Sequence, residues 1–65
     1  MPSIHVYIWP GRSKDAKAQI IKGITNVFTD LKIPANAVEV IIHEVPKENW
    51  GSGGEQACDK FKNIP

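Results

Sequence analysis

The chain has 65 residues, of which 42% are hydrophobic and 23% are charged, so it suits one small folded domain. A formal net charge of +1 argues against a dedicated nucleic-acid-binding protein, because such proteins normally carry a basic stripe. No apolar run approaches the roughly 20 residues that cross a bilayer, and the first residues do not resemble a signal peptide, so we expect a cytoplasmic protein. The single cysteine, Cys58, excludes an internal disulfide, and it shares no metal-ligand spacing with His5 or His43.

A first β-strand is predicted over residues 3–9, where hydrophobic side chains alternate with polar and aromatic ones. One face carries Ile4, Val6 and Ile8, and the other carries Ser3, His5, Tyr7 and Trp9. Pro10 and Gly11 end the strand, because proline lacks the amide donor of the ladder and glycine frees the backbone to turn.

An amphipathic helix of about four to five turns is predicted next, and Ser13 is a good N-cap for it. Asp15 in the first turn suits the helix dipole. The apolar residues recur at helical spacing and are expected to form a core stripe: Ile20, Ile21, Ile24, Val27, Phe28 and Leu31. Pro34 closes the segment, because the residue before a proline is pushed out of the helical region.

A second strand is predicted over residues 38–45, whose nearly continuous apolar character suits a strand with protein on both faces. Strand, helix and strand in this order form a βαβ unit with parallel strands and a right-handed crossover. The glycine-rich segment from Trp50 to Gly54 is expected to form a tight turn or small hairpin, and residues 55–62 a short helical or irregular end. We therefore predict an α+β fold in one domain, residues 1–65.

Two strands under one helix leave half of their sheet uncovered. The helix hides one face, while Tyr7, Trp9 and Ile41 remain on the other, and both sheet edges stay open. Pairing of subunits edge to edge and face to face removes both problems, so we predict an obligate oligomer. His5 and His43 point to this same face by parity, and we interpret them as a hydrogen-bonded pair rather than as metal ligands.

Pro2 and Arg12 are the residues best suited to chemistry. Removal of Met1 is expected when a small residue follows it, and Pro2 would then carry a free secondary amine that can accept and return a proton. Arginine is the usual residue for bidentate carboxylate binding. The intervening strand places Arg12 roughly 25 Å from Pro2 of the same chain, at about 3.3 Å per residue. The two residues can therefore share a site only if they come from different subunits.

Several motifs together resemble the 4-oxalocrotonate tautomerase family over nearly the whole chain, residues 1–58. They are the Met-Pro start, Gly11-Arg12-Ser13 after the strand, the single helix, Pro34, the strand from Val38 to Glu44, and the segment from Gly51 to Glu55. The resemblance implies a tautomerase-fold subunit in a homohexamer, a trimer of dimers, with no cofactor and a small carboxylic acid as substrate. It also suggests a place in the degradation of aromatic compounds.

The resemblance also implies roles for individual residues. Pro2 is then the general base that moves a proton between a dienol oxygen and a carbon, and Arg12 binds a substrate carboxylate. Trp50 stands where the family has an aromatic wall. Trp9 stands where a backbone amide contributes to the site.

Glu39 departs from the family pattern, because it occupies the position of a second arginine that binds the other carboxylate of a dicarboxylate. A charge pair at 4 Å is worth roughly 4 kcal/mol at an effective dielectric of about 20, so reversing the sign is a large change. We expect poor binding of 2-hydroxymuconate and a raised pKa of Pro2. Alternatively, Glu39 forms a surface or intersubunit salt bridge, for example to Lys47 or Arg12.

Three functions follow from these residues. The first is an isomerase, a tautomerase that acts on an enol or dienol 2-oxo acid with an altered substrate preference. The second is a hydratase or dehalogenase-like lyase in which protonated Pro2 is a general acid. The third is a non-catalytic oligomeric homologue. A mixed oligomer with a paralogous chain is also open, since a partner chain would supply the arginine that Glu39 replaces.

Overall fold

The structure, a computed structural model, describes residues 1–65. In chain order its elements are β1 (Ser3–Ile8), α1 (Lys14–Thr29), β2 (Glu39–Glu44), β3 (Gly51–Ser52), β4 (Glu55–Gln56) and α2 (Ala57–Lys60). Two single turns of 3-10 helix flank β2, at Ala35–Ala37 and Lys47–Asn49. The predicted βαβ unit with a small C-terminal hairpin is confirmed. Neither α-helix combines the length and the apolar character needed to cross a bilayer.

Strands β1 and β2 form a parallel pair whose register aligns Ser3 with Glu39 and Ile8 with Glu44. Both strands are shorter than predicted. Trp9 lies beyond β1, because Pro10 offers no N–H to continue the ladder. Val45 lies beyond β2, although its N–H still donates to the Ile8 carbonyl at 2.8 Å.

Helix α1 begins as the sequence predicts. The Ser13 hydroxyl accepts the N–H of Ala16 at 3.1 Å and satisfies one of the unpaired donors of the first turn. The Lys17 ammonium lies 2.8 Å from the Glu44 carboxylate and ties the first turns of α1 to the end of β2. This ion pair is partly exposed, so it orients the helix more than it stabilises the fold.

The prediction that the whole apolar stripe is core is wrong for the single chain. Helix α1 ends at Thr29, and Leu31 lies outside it with 65% of its surface exposed, while Val27 is 58% exposed. The physical reason is geometric, because a sheet of only two strands is too narrow to cover the flanks of the helix. Ile20, Ile24 and Phe28 are half-buried.

A Schellman motif ends α1. The Ile33 N–H donates to the Phe28 carbonyl at 3.2 Å, and the Lys32 N–H donates to the Thr29 carbonyl at 3.0 Å. This motif places Lys32 in the left-handed region, with φ at 70°. A residue with a Cβ is disfavoured there, and glycine is the usual occupant.

Replacement of Lys32 by glycine is therefore expected to raise the free energy of unfolding by about 0.5–1 kcal/mol. The same substitution inside the helix, Lys22→Gly, is the control and is expected to lower it by about 1 kcal/mol. Thermal unfolding at equal protomer concentration measures both shifts. Equal destabilisation by the two substitutions would contradict the strained conformation of Lys32.

The predicted hairpin after Trp50 is present. Gly53 and Gly54 form its two-residue turn with φ of 63° and 84°, and positive φ at both positions is what a type I′ turn requires. Helix α2 follows at once, and its Ala57 donates its N–H to the Trp50 carbonyl at 2.7 Å. Ala57 has no exposed surface.

The single chain has too little interior to be a complete globular unit. Ala57 is its one buried residue, and its accessible surface is 4871 Å², against about 4100 Å² for a compact monomer of this mass. Its radius of gyration is 14.6 Å, against about 11 Å for a compact chain of this length. These values are those of a subunit whose exposed apolar face requires other subunits for burial.

Candidate active site

A cleft of about 500 Å³ opens where the two parallel strands end. Its size suits a small-molecule ligand. The carboxyl ends of parallel strands share one edge of the sheet, so the segments that follow β1 and β2 meet there. The lining residues are Tyr7, Ile8, Trp9, Pro10, Gly11, Arg12, Lys47, Trp50 and Pro65. Three predicted site residues, Trp9, Arg12 and Trp50, thus lie together.

Arg12 is held at this edge by the turn that ends β1. Gly11 has φ of 117°, a conformation that glycine adopts without strain, and it reverses the chain between Pro10 and Arg12. Arg12 is exposed and forms no ion pair within the protomer, where the one ion pair joins Lys17 to Glu44. Its guanidinium group is therefore available for a ligand carboxylate.

Aromatic side chains form one wall of the cleft. The Trp9 and Trp50 rings meet edge to face, with centroids 5.8 Å apart and an interplanar angle of 73°. Phe61 packs against Trp9 with a centroid distance of 5.7 Å. The indole N–H of Trp9 is buried and has no hydrogen-bond partner within the protomer. An aromatic wall excludes water and strengthens electrostatic interactions at its surface.

Lys47 is a second cation in the cleft, and it was predicted from the sequence only as a salt-bridge partner of Glu39. Its ammonium group lies 4.6 Å from the centroid of the Trp9 ring and donates a hydrogen bond to the Ile64 carbonyl. A topological signal could have identified Lys47 from the sequence. Lys47 follows the last residue of β2 by three positions, as Arg12 follows that of β1 by four, and parallel strands bring such segments together.

Pro2 and Glu39 lie at the opposite edge of the sheet. The Glu39 N–H donates to the Pro2 carbonyl at 3.0 Å, so the backbones of Glu39 and Pro2 are direct neighbours. Glu39 is exposed and forms no ion pair within the protomer. Within the protomer Glu39 bridges neither Lys47 nor Arg12, because those two cations lie at the far ends of the strands, and a bridge between subunits stays a prediction.

The open face of the sheet lies between these two edges. There His5 Nδ1 and His43 Nε2 are 2.8 Å apart, which confirms the predicted proximity of the two imidazoles. Their rings stack with centroids 5.1 Å apart, and Tyr7 stacks on His43 at 4.6 Å. Tyr7 and Ile41 are 58% and 40% exposed on this face. The rigid, partly apolar surface suits contact with another subunit.

Comparison with known proteins identifies the family. Residues 2–60 match the family model described as tautomerase enzyme, so the chain belongs to the tautomerase family. It is 40% identical over 58 residues to a 2-hydroxymuconate tautomerase from Comamonas testosteroni, covering 88% of this chain and 92% of that protein. The family that the motifs resemble is thereby confirmed.

Solved structures show the same fold. One, from work on 4-oxalocrotonate tautomerase isozymes of Methylibium petroleiphilum, is 38% identical with a TM-score of 0.80, covering 86% of this chain and 92% of that one. Another, from a heterohexamer 4-oxalocrotonate tautomerase of Chloroflexus aurantiacus J-10-fl, is 27% identical with a TM-score of 0.82, covering 91% and 97%. The family and its named members support an isomerase activity of the tautomerase type, and the oligomeric neighbour agrees with the prediction that the chain forms an oligomer.

Proposed function

We propose that the protein is a tautomerase that moves a proton on an enol or dienol 2-oxo acid, with the N-terminal amine of Pro2 as the base. Removal of Met1 is required, because Pro2 behind Met1 is an amide without basicity. The observation that carries the proposal is the unpaired Arg12 in a cleft walled by Trp9 and Trp50. A carboxylate bound there brings the unsaturated part of the acid against the aromatic wall.

In the proposed assembly, each active site combines two protomers. One supplies Pro2 and Glu39 from the start of its strands, and another supplies Arg12, Trp9 and Trp50 from the end. Antiparallel pairing of two β1 strands brings these ends together. We propose a homohexamer, a trimer of dimers, and a mixed oligomer is the second arrangement, since one structural neighbour is a heterohexamer.

In the proposed reaction, the Pro2 nitrogen accepts the proton of the enol hydroxyl as the carbonyl forms. The resulting ammonium then donates that proton to the terminal carbon of the enol or dienol, which restores the free amine. Arg12 holds the carboxylate and orients the acid for both transfers. For Pro2 to act as the base, desolvation by the aromatic wall must outweigh the Glu39 carboxylate, which favours the protonated amine.

Glu39 determines substrate preference in this proposal. It carries a negative charge beside Pro2, where a dicarboxylate substrate would place its second carboxylate. Two like charges about 4 Å apart repel by roughly 4 kcal/mol at an effective dielectric of about 20. We therefore propose a monocarboxylate substrate.

The test is ketonisation of phenylenolpyruvate and 2-hydroxymuconate, measured side by side by ultraviolet absorbance. The protein is one whose intact mass confirms a free Pro2. Fast turnover of the monoacid with little turnover of the diacid is expected. Turnover of neither acid would contradict the tautomerase proposal and favour a lyase or a non-catalytic homologue.

Glu39→Arg is expected to raise the ratio of kcat/KM for the diacid over the monoacid at least tenfold, because it replaces repulsion of the second carboxylate by attraction. Asp59→Arg, at an exposed position of helix α2 that does not line the cleft, makes the same change of net charge and is the control. An unchanged ratio in Glu39→Arg would show that residue 39 does not face the substrate.

A lyase that uses Pro2 as a general acid is the second candidate. The observation that favours it is the position of Glu39 next to Pro2. A carboxylate close to the Pro2 amine raises the pKa of that amine and favours its protonated form. Titration of protein labelled at Pro2, followed by NMR, separates the two functions. A Pro2 pKa above neutral supports the lyase, and a value below neutral supports the tautomerase.

A further inference from the structure

We infer that Lys47 is a substrate-binding residue that holds the carboxylate of the substrate together with Arg12. The inference rests on the proposed function, and it adds a specificity-determining residue to the same site. It explains how a member of the family that carries Glu39 in place of an arginine can still present two cations to its substrate.

The fold directs Lys47 into the cleft. Val45 pairs with Ile8 beyond the end of β2, so the segment that follows runs beside the end of β1. The 3-10 turn at Lys47–Asn49 begins two residues after Val45. The ammonium nitrogen of Lys47 lies 4.6 Å from the centroid of the Trp9 ring.

The donors of Lys47 are not all used within the protomer. An ammonium group has three N–H donors, and one is taken by the Ile64 carbonyl. The face of Trp9 attracts the charge but accepts no conventional hydrogen bond. Lys47 forms no ion pair, and no Asp or Glu lines the cleft. The cleft therefore holds two cations and no side-chain anion.

This charge arrangement selects a class of ligand. A carboxylate has two oxygens and about four lone-pair directions, so it can accept from a guanidinium and an ammonium together. The aromatic wall of Trp9 and Trp50 suits a planar, unsaturated group next to that carboxylate. The site thus fits an aryl- or alkenyl-substituted monocarboxylate, with its negative charge shared by Arg12 and Lys47.

The experiment measures binding rather than turnover, using trans-cinnamate as an inert aryl monocarboxylate and ligand-observed NMR as the readout. Lys47→Met, which keeps the apolar stem, is expected to weaken cinnamate binding about tenfold or more, since it removes a charge-assisted hydrogen bond. Lys47→Arg is expected to stay within about threefold of the unmodified protein. Lys60→Met, which removes a lysine that contacts Phe61 and Ser52 instead, is the matched control and is expected to bind normally.

A purely structural role of Lys47 predicts a different pattern. Lys47 also contacts the C-terminal segment, so its removal could deform the cleft. Cinnamamide, the neutral analogue, reports this because it needs the cleft but not the cation. Equal loss of cinnamate and cinnamamide binding in Lys47→Met, or full retention of cinnamate binding, would overturn the inference. Lys47→Gln, which keeps a donor for the Ile64 carbonyl, repeats the test if the methionine variant does not fold.

The binding experiment also separates this inference from the proposed function. Cinnamate binding does not involve proton transfer by Pro2. Selective loss of cinnamate binding in a protein without tautomerase activity would therefore support the role of Lys47 and contradict only the proposed reaction.

Discussion

Replacement of Pro2 by alanine is expected to lower the rate of ketonisation of phenylenolpyruvate by about two to four orders of magnitude, the usual contribution of a general base. An alanine amine is primary and is not fixed by a ring, so both its pKa and its position relative to the substrate change. Glu39 continues to anchor the start of β1 through its backbone, and we expect the variant to fold and assemble.

The control for this prediction keeps the proline and removes its basicity. Protein that retains Met1 has one more residue, and its Pro2 nitrogen is an amide. The two preparations are distinguished by intact mass and compared by ultraviolet absorbance at equal concentration. Equal activity of the Met1-retaining protein and the processed protein would show that Pro2 is not the base.

Arg12→Ala is expected to lower kcat/KM for phenylenolpyruvate by about a hundredfold. A charge-assisted bidentate contact with a carboxylate is worth roughly 2–3 kcal/mol, and the substrate carboxylate would retain only Lys47 as its cationic partner. Because Arg12 both binds and orients the acid, KM is expected to rise and kcat to fall. Steady-state kinetics at low ionic strength measures both parameters.

Two further variants serve as comparisons for Arg12→Ala. Arg12→Lys keeps the charge but loses the planar fork, so an intermediate activity is expected. Lys14→Ala removes a cation at the start of α1 that does not line the cleft, and it is expected to leave kcat/KM unchanged. If Arg12→Ala and Lys14→Ala had the same small effect, the cleft would not be the carboxylate site.

The elements of the fold were predictable because each rests on a local signal. Alternation of side chains marked both strands, Ser13 marked the start of the helix, and the two glycines Gly53 and Gly54 marked the hairpin. Register parity then placed His5 beside His43. Such signals depend only on neighbouring residues, so no knowledge of the packed chain was needed.

Features that depend on distant segments were not predictable in this way. The pattern that assigned Val27 and Leu31 to the core cannot indicate how wide the covering sheet is. Lys47 and Phe61 join Trp9 through contacts between separate parts of the chain. No short motif encodes those contacts, although the position of Lys47 three residues after a parallel strand indicates the correct edge of the sheet.

The two parts of the proposed site lie at opposite edges of the sheet in each protomer, so assembly has a direct role in the proposed function. Pro2 and Glu39 lie at one edge of the sheet, and the cleft with Arg12 lies at the other. A protomer in isolation holds the two halves of a proposed site but cannot join them. Antiparallel pairing of β1 strands, as proposed, would bring the halves of different protomers together, and contact between sheet faces would bury the exposed Tyr7 and Ile41.

The most direct test of a site shared between protomers is complementation between two variants of low activity. Pro2→Ala and Arg12→Ala chains are unfolded together, refolded as a mixture, and assayed with phenylenolpyruvate beside each variant refolded alone. If a site takes Pro2 from one protomer and Arg12 from another, random assembly leaves about a quarter of the sites with both native residues, and activity near a quarter of the unmodified level is expected. Activity no greater than the mean of the two variants refolded alone would contradict a site shared between protomers.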